Sequence, residues 1–113
     1  MINLTSTSDV LRLVTGAAVT SIQVHVSYVD LNTGTGAVTP GRQNTNITTA
    51  TTTTICSAPS SGIVRNVKSV SVFNDDASNA CLVDAHHFDG TTDIELVSAM
   101  LASESGLQYD EGN

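Results

Sequence analysis

The chain has 113 residues, a formal net charge of −7, 4% aromatic residues and no Trp. That length gives one domain with one modest core, built here from Val, Ile, Leu and Ala. No apolar run approaches the ~18 residues of a membrane-crossing helix, and the acidic balance argues against nucleic acid, whose binding needs clustered cations.

Charge is unevenly placed. Residues 1–74 carry Arg12, Arg42, Arg65 and Lys68 against Asp9 and Asp30, whereas residues 75–113 carry nine acids and no Lys or Arg. This suits a partner with a basic surface, or plain solubility. The opening MINLTSTSDV has neither a basic n-region nor an apolar h-region, so no secretory signal is read. Cys56 and Cys81 are then expected as two small core residues, with a bridge between them as the alternative.

Residues 1–113 read as one domain, with residues 1–20 as an N-terminal arm or edge strand holding a short strand at 10–14. Residues 21–31 alternate: Ile22, Val24, Val26 and Tyr28 share one face, the signature of a half-buried strand. Residues 32–36 and Pro40-Gly41 read as turns. The threonine run of residues 47–56 reads as one rigid strand, since Thr is β-branched and prefers extended backbone. Thr49, Thr51 and Thr53 fall on one of its faces. Its faces are semi-polar, which suits an edge or a subunit contact rather than a buried centre.

After a loop at 57–62, residues 63–74 read as a long strand with Val64, Asn66, Lys68, Val70 and Val72 on one face. A turn at 74–79 leads to a strand at 81–88. A strand at 94–101 and a last one at 107–109 follow, residues 94–102 being the one stretch also compatible with a helix. Seven to eight short strands with frequent turns predict an all-β antiparallel sandwich, jelly-roll-like in class.

Chemistry-bearing residues are few. His86 and His87 are adjacent and so point to opposite faces of a strand, and the spacing of His25 suggests no third ligand, so no metal or cofactor is expected. Asp75, Asp76, Asp89, Asp93, Asp110 and Glu111 fall largely in turns, where Asp bonds nearby backbone N–H groups. No nucleophile elbow, phosphate loop or zinc-protease motif occurs, and no enzyme is expected.

The last third carries a resemblance. His87-Phe88-Asp89-Gly90-Thr91-Thr92, then Leu101-Ala102-Ser103-Glu104, then Leu107-Gln108-Tyr109-Asp110-Glu111-Gly112 resembles a pattern in small virion proteins of tailed bacteriophages. Residues 47–54 ahead of Arg65-Asn66-Val67-Lys68 look like that family's middle section. The chain departs from the pattern where Glu104-Ser105-Gly106 replaces its Gly-Glu turn. The resemblance implies a β-sandwich subunit of the phage particle, assembled in the bacterial cytoplasm. The expected role is a capsid decoration (cement) protein, homo-oligomeric and bound to the major capsid protein or other virion proteins, without nucleic acid or membrane. A tail, collar or head–tail accessory is the alternative, and a host-surface or carbohydrate-binding module is the alternative of another class. Thr49, Thr51, Thr53, Arg42, Arg65 and Lys68 are the expected interface residues.

Overall fold

A computed structural model describes residues 1–111, so Gly112 of the last resemblance element lies outside the described residues. Among the described residues, nine antiparallel strands, with no helix, form two packed sheets, a β-sandwich. In chain order they are β1 (Ile2–Leu4), β2 (Val10–Thr15), β3 (Ile22–Asn32), β4 (Val38–Ile47), β5 (Thr52–Cys56), β6 (Ile63–Asn74), β7 (Cys81–Phe88), β8 (Asp93–Leu101) and β9 (Ser105–Asp110). One sheet runs β1-β6-β3-β4, with β9 following β1 along the same side of β6; the other runs β5-β2-β7-β8. Only β3–β4 and β7–β8 are hairpins, and every other connection crosses between the sheets.

The core is aliphatic, as the composition requires. Leu4, Leu13, Ile22, Val26, Val67 and Val83 are fully buried, and Cys56 and Cys81 sit among them as free thiols. In β3 the alternation holds: Ile22, Val24 and Val26 are buried, and Tyr28 packs against the same core.

The strand count exceeds seven to eight for two reasons. β1 is a three-residue edge strand too short to show a period. Pro40-Gly41 reads as a turn in the sequence, but both residues lie inside β4, opposite Val29 and Tyr28. β4 is an edge strand, where a proline's missing N–H costs no ladder bond. Gly41 is needed there: a Cβ would stand 2.6 Å from Cε1 of Tyr28, whose ring lies on the bare backbone. Residues 1–20 likewise divide, β1 lying at an edge and β2 between β5 and β7.

The expected single face of β6 is also corrected. Arg65 and Val67 are buried on odd positions, then Val70, Val72 and Asn74 on even ones. The cause is a bulge. Ser27 pairs with Ser69 and Tyr28 with Val67, so Lys68 is the extra residue. One inserted residue turns the side-chain alternation over, and both halves of β6 then face the core. The same device in β5 makes Ile55 the extra residue, and adjacent Ile55 and Cys56 are both buried.

Polar clusters close both ends. At one, the Asn74 amide, fully buried, donates to the carbonyls of Asn79, Leu101 and Ala102 at 2.9, 3.1 and 3.3 Å. Beside it, Asp76 accepts from the N–H groups of Ser78, Thr20 and Asn79 at 2.8, 2.9 and 2.8 Å. Those donors hold its carboxyl well below the usual carboxylate range. The expected 74–79 turn is thus an anchor between loops of both sheets.

Two outcomes follow from these features. Deleting Lys68 takes out the bulge and leaves Arg65, Val67, Val70, Val72 and Asn74 on one inward face of a regular strand, whereas deleting Ser71 turns Val72 and Asn74 outward. Urea unfolding is expected to show a native state kept without Lys68 and lost without Ser71, with Lys68→Ala within about 1 kcal/mol of the wild type. Asp76 has a depressed folded-state pKa, so its contribution is complete above the ordinary carboxylate value of about 4 and is lost as pH falls through the folded value. Melting curves of Asp76→Asn against the wild type should differ most at neutral pH and converge in acid.

Candidate functional site

The six expected interface residues do not share a surface. Thr49 and Thr51 are exposed in the crossing between β4 and β5, whereas Thr53 is half-buried in β5 opposite Leu13. The threonine run is therefore not one strand. Its first half is tied down at the backbone, where the Thr15 hydroxyl donates to the Thr49 carbonyl at 2.6 Å and the Thr15 N–H to the Thr51 carbonyl at 2.9 Å. β5 is an edge strand as read, but its neighbour covers part of it. Gln43 of β4 donates to the Thr54 carbonyl at 3.5 Å and accepts from the Ser57 N–H at 2.9 Å.

Of the cations, Arg42 alone is freely exposed, on β4 opposite Ser27. Lys68 is half-exposed and reaches Glu111 at 2.7 Å. Arg65 is only 9% exposed and belongs to the interior. Its Nε and Nη2 donate to the two Asp30 oxygens at 2.8 and 3.0 Å, and Nη1 donates to the Ser57 carbonyl at 2.8 Å. The guanidinium also lies 4.0 Å from the centre of the Tyr28 ring. With Asp30 and Tyr28 on β3 and Ser57 just past β5, Arg65 ties the two sheets together. The alternation could not separate this role from a basic surface position, because Arg65 occupies an inward place in the half of β6 ahead of the bulge.

The open surface lies elsewhere. β8 has β7 on one side and, among the described residues, no strand on the other. It carries Ile94, Leu96 and Met100 at 52, 46 and 65% exposure, with Val97 also exposed. No Lys, Arg or Pro protects this edge, although such residues commonly blunt exposed strands. β8 also borders an apolar groove of about 400 Å³ between the sheets, lined by Leu11, Val70, Ala85, Leu96, Val97 and Leu107. Tyr109 lines the same groove, and its hydroxyl is sealed from solvent without a hydrogen-bond partner among the described residues.

Two polar places complete the surface. The outer face of β3, β4 and β6 forms a shallow trough of about 500 Å³ that includes Gln23, His25, Asn44, Asn46, Ser71 and Phe73. On the outer face of β7 and β8, Asp84, His86 and Glu95 gather. His86 and His87 do point to opposite sides, His87 turning toward the Asn3 carbonyl at 3.1 Å. Pairing histidines with one another hid the carboxylates. The Asp84-x-His86 spacing, which puts both on one strand face, was the available signal.

The resemblance elements fall at successive turns. Asp89 closes the β7–β8 turn by accepting from the N–H groups of Thr91 and Thr92 at 2.9 and 2.7 Å, Glu104 sits with a positive φ of 55° between β8 and β9, and Leu107 to Asp110 lie in β9. No family model matches the chain, and no curated protein or solved structure matches it.

Breaking a buried ion pair leaves an uncompensated charge and costs about 3 kcal/mol or more. Arg65→Ala is expected to lower unfolding stability by about that amount, and Arg42→Ala by less than about 0.5 kcal/mol, in matched urea titrations. Equal, small effects would return Arg65 to the surface.

Proposed function

We propose that this chain is a non-catalytic assembly subunit of a tailed-bacteriophage particle, a decoration protein that stabilises the head, and that it assembles through the free edge of β8. The observation that carries the assembly reading is that edge: exposed apolar side chains, unpaired backbone and an adjoining apolar groove in one place. Exposed edges of this kind are templates for strand addition. The placement in a phage particle rests on the resemblance in residues 45–113.

The occupant of the edge is a second copy of this chain. β8 is acidic at its start, Asp93 and Glu95, and apolar at its end, Met100 and Leu101. Antiparallel self-pairing about Leu96–Val97 sets Asp93 across from Met100 and Glu95 across from Ser98, so no like charges stand opposite each other. It also lays two apolar grooves side by side across a two-fold axis, the isologous arrangement of most homodimers. Thr49, Thr51, Thr53 and Arg42 then lie away from the self-contact and remain available to the shell. A tail or collar position uses the same self-contact with a different host surface.

A second reading has its own observation. The trough on the outer face of β3, β4 and β6 offers amides, His25 and the ring of Phe73, a mixture that suits a sugar's hydroxyls and its apolar face. Phe73→Ala would abolish glycan binding on this reading and leave assembly untouched on the first.

Light scattering of the purified chain, alone and mixed with empty phage heads, tests the proposal. A defined homo-oligomer that saturates heads at a fixed copy number is expected. Leu96→Lys should yield a monomer whose unfolding stability changes by less than about 0.5 kcal/mol, because Leu96 is exposed in the single chain. A wild-type monomer that ignores heads would contradict the proposal. So would an oligomer broken by Thr53→Lys but not by Leu96→Lys.

A further inference from the structure

Asp84 and His86 are two residues apart on the outer face of β7, and Glu95 stands opposite His86 on β8. One ligand atom from each lies within 4.8 Å of the others. Two independent features separate this group from ordinary polar residues on a sheet.

The first is unsatisfied polarity. Asp84 Oδ1 and His86 Nδ1 are sealed from solvent, and neither has a hydrogen-bond partner among the described residues. Asp93 Oδ1 comes within 3.3 Å of His86 Nδ1, but not in hydrogen-bond geometry. Buried polar atoms are almost always paired, and an exception points to a missing water or ion. The neighbouring cation does not answer the need. Arg12 stands opposite His86 on β2, but its guanidinium lies 3.7 Å from the centre of the Phe88 ring, and among the described residues it forms no ion pair.

The second feature is a bulge. Ala85 pairs with Val97 and His86 with Glu95, so Leu96 is the extra residue. Without it, Leu96 would stand opposite His86 and Glu95 would turn to the inner face. The bulge re-aims one carboxylate onto the face that already holds an imidazole and a second carboxylate. Bulges are enriched where a strand must redirect a functional side chain.

We propose that Asp84, His86 and Glu95 bind a divalent cation of the zinc class. An imidazole with two carboxylates suits zinc and its first-row neighbours better than calcium or magnesium, which favour all-oxygen shells. Bonds of about 2.0–2.1 Å put tetrahedral donors about 3.4 Å apart, so a modest closing of the exposed Glu95 completes the set. The fourth position faces solvent and takes water, or Asp93. With two ligands on β7 and one on β8, the ion clamps the edge strand to its neighbour. This site stands whether or not β8 pairs with a second copy.

Calorimetric titration of chelator-treated protein with Zn²⁺, paired with thermal melts, tests it. One saturable site per chain and a raised Tm are expected, with weaker binding of Ca²⁺. Glu95→Gln, at an exposed position, and His86→Ala should each weaken Zn²⁺ binding at least tenfold, whereas His25→Ala and His87→Ala should leave it unchanged. Co²⁺ bound at the site should show the visible bands of a tetrahedral complex in the wild type and lose them in Glu95→Gln. Without metal, Asp84→Asn should raise the Tm, because it removes an unpaired carboxylate. Absence of saturable Zn²⁺ binding would overturn the proposal. So would binding that survives both site variants, tighter binding of Ca²⁺ than of Zn²⁺, or a fall in Tm for metal-free Asp84→Asn.

Discussion

The bulge at Lys68 is the constraint on which the sandwich turns. β6 is the longest strand and pairs with β3 over most of its length. A regular strand of that length would present one set of alternate residues to the core. The extra residue lets Val67 and Val70 both face inward, so a chain whose buried core residues are all aliphatic or Cys fills its interior from both halves of one strand. The same point divides the far side of β6. β1 pairs with it up to Val67 and β9 from Ser69 onward, so N- and C-terminal strands share one edge. The Glu111 N–H donates to the Lys68 carbonyl at 2.9 Å, and its carboxylate meets the Lys68 ammonium.

Around that strand the two ends are held by polar groups and one side is left open. Arg65, Asp30 and Ser57 tie the sheets at one end, where β3 runs on past its buried half. Asn74 and Asp76 tie loops at the other. Such pairs are satisfied internally and give little to a partner. Among the described residues the side between β8 and β9 has no equivalent closure, and its apolar groove is bordered by β8 with its exposed apolar side chains. Small aliphatic cores are commonly completed by association, and the open side is where this one has apolar surface left to bury.

The sequence made the fold class legible because β2, β3, β6 and β7 carry strong apolar periods or runs between clear turns. What stayed hidden has one physical source: strand pairing that alternation does not encode. The bulges at Lys68, Ile55 and Leu96 each reverse a face locally, and no residue type marks them in advance. β4 was hidden because an outermost strand exposed over most of its length needs no apolar period and tolerates Pro40. The threonines looked like one strand because propensity is local, whereas Thr15 pulls Thr49 and Thr51 into a crossing between sheets. Arg65 was legible as a cation but not as a buried one. Asp84 and His86 were legible as residues sharing a strand face, but Glu95 joins them only through the Leu96 bulge.

On the proposed assembly the β8 edge, not the threonine edge, is the self-contact. Amide hydrogen exchange measured across a concentration series tests it most directly. Backbone amides of residues 94–100 should gain protection as concentration rises, while those of residues 52–54 stay unchanged. Concentration-dependent protection at β5 with none at β8, or no concentration dependence at either edge, would contradict it.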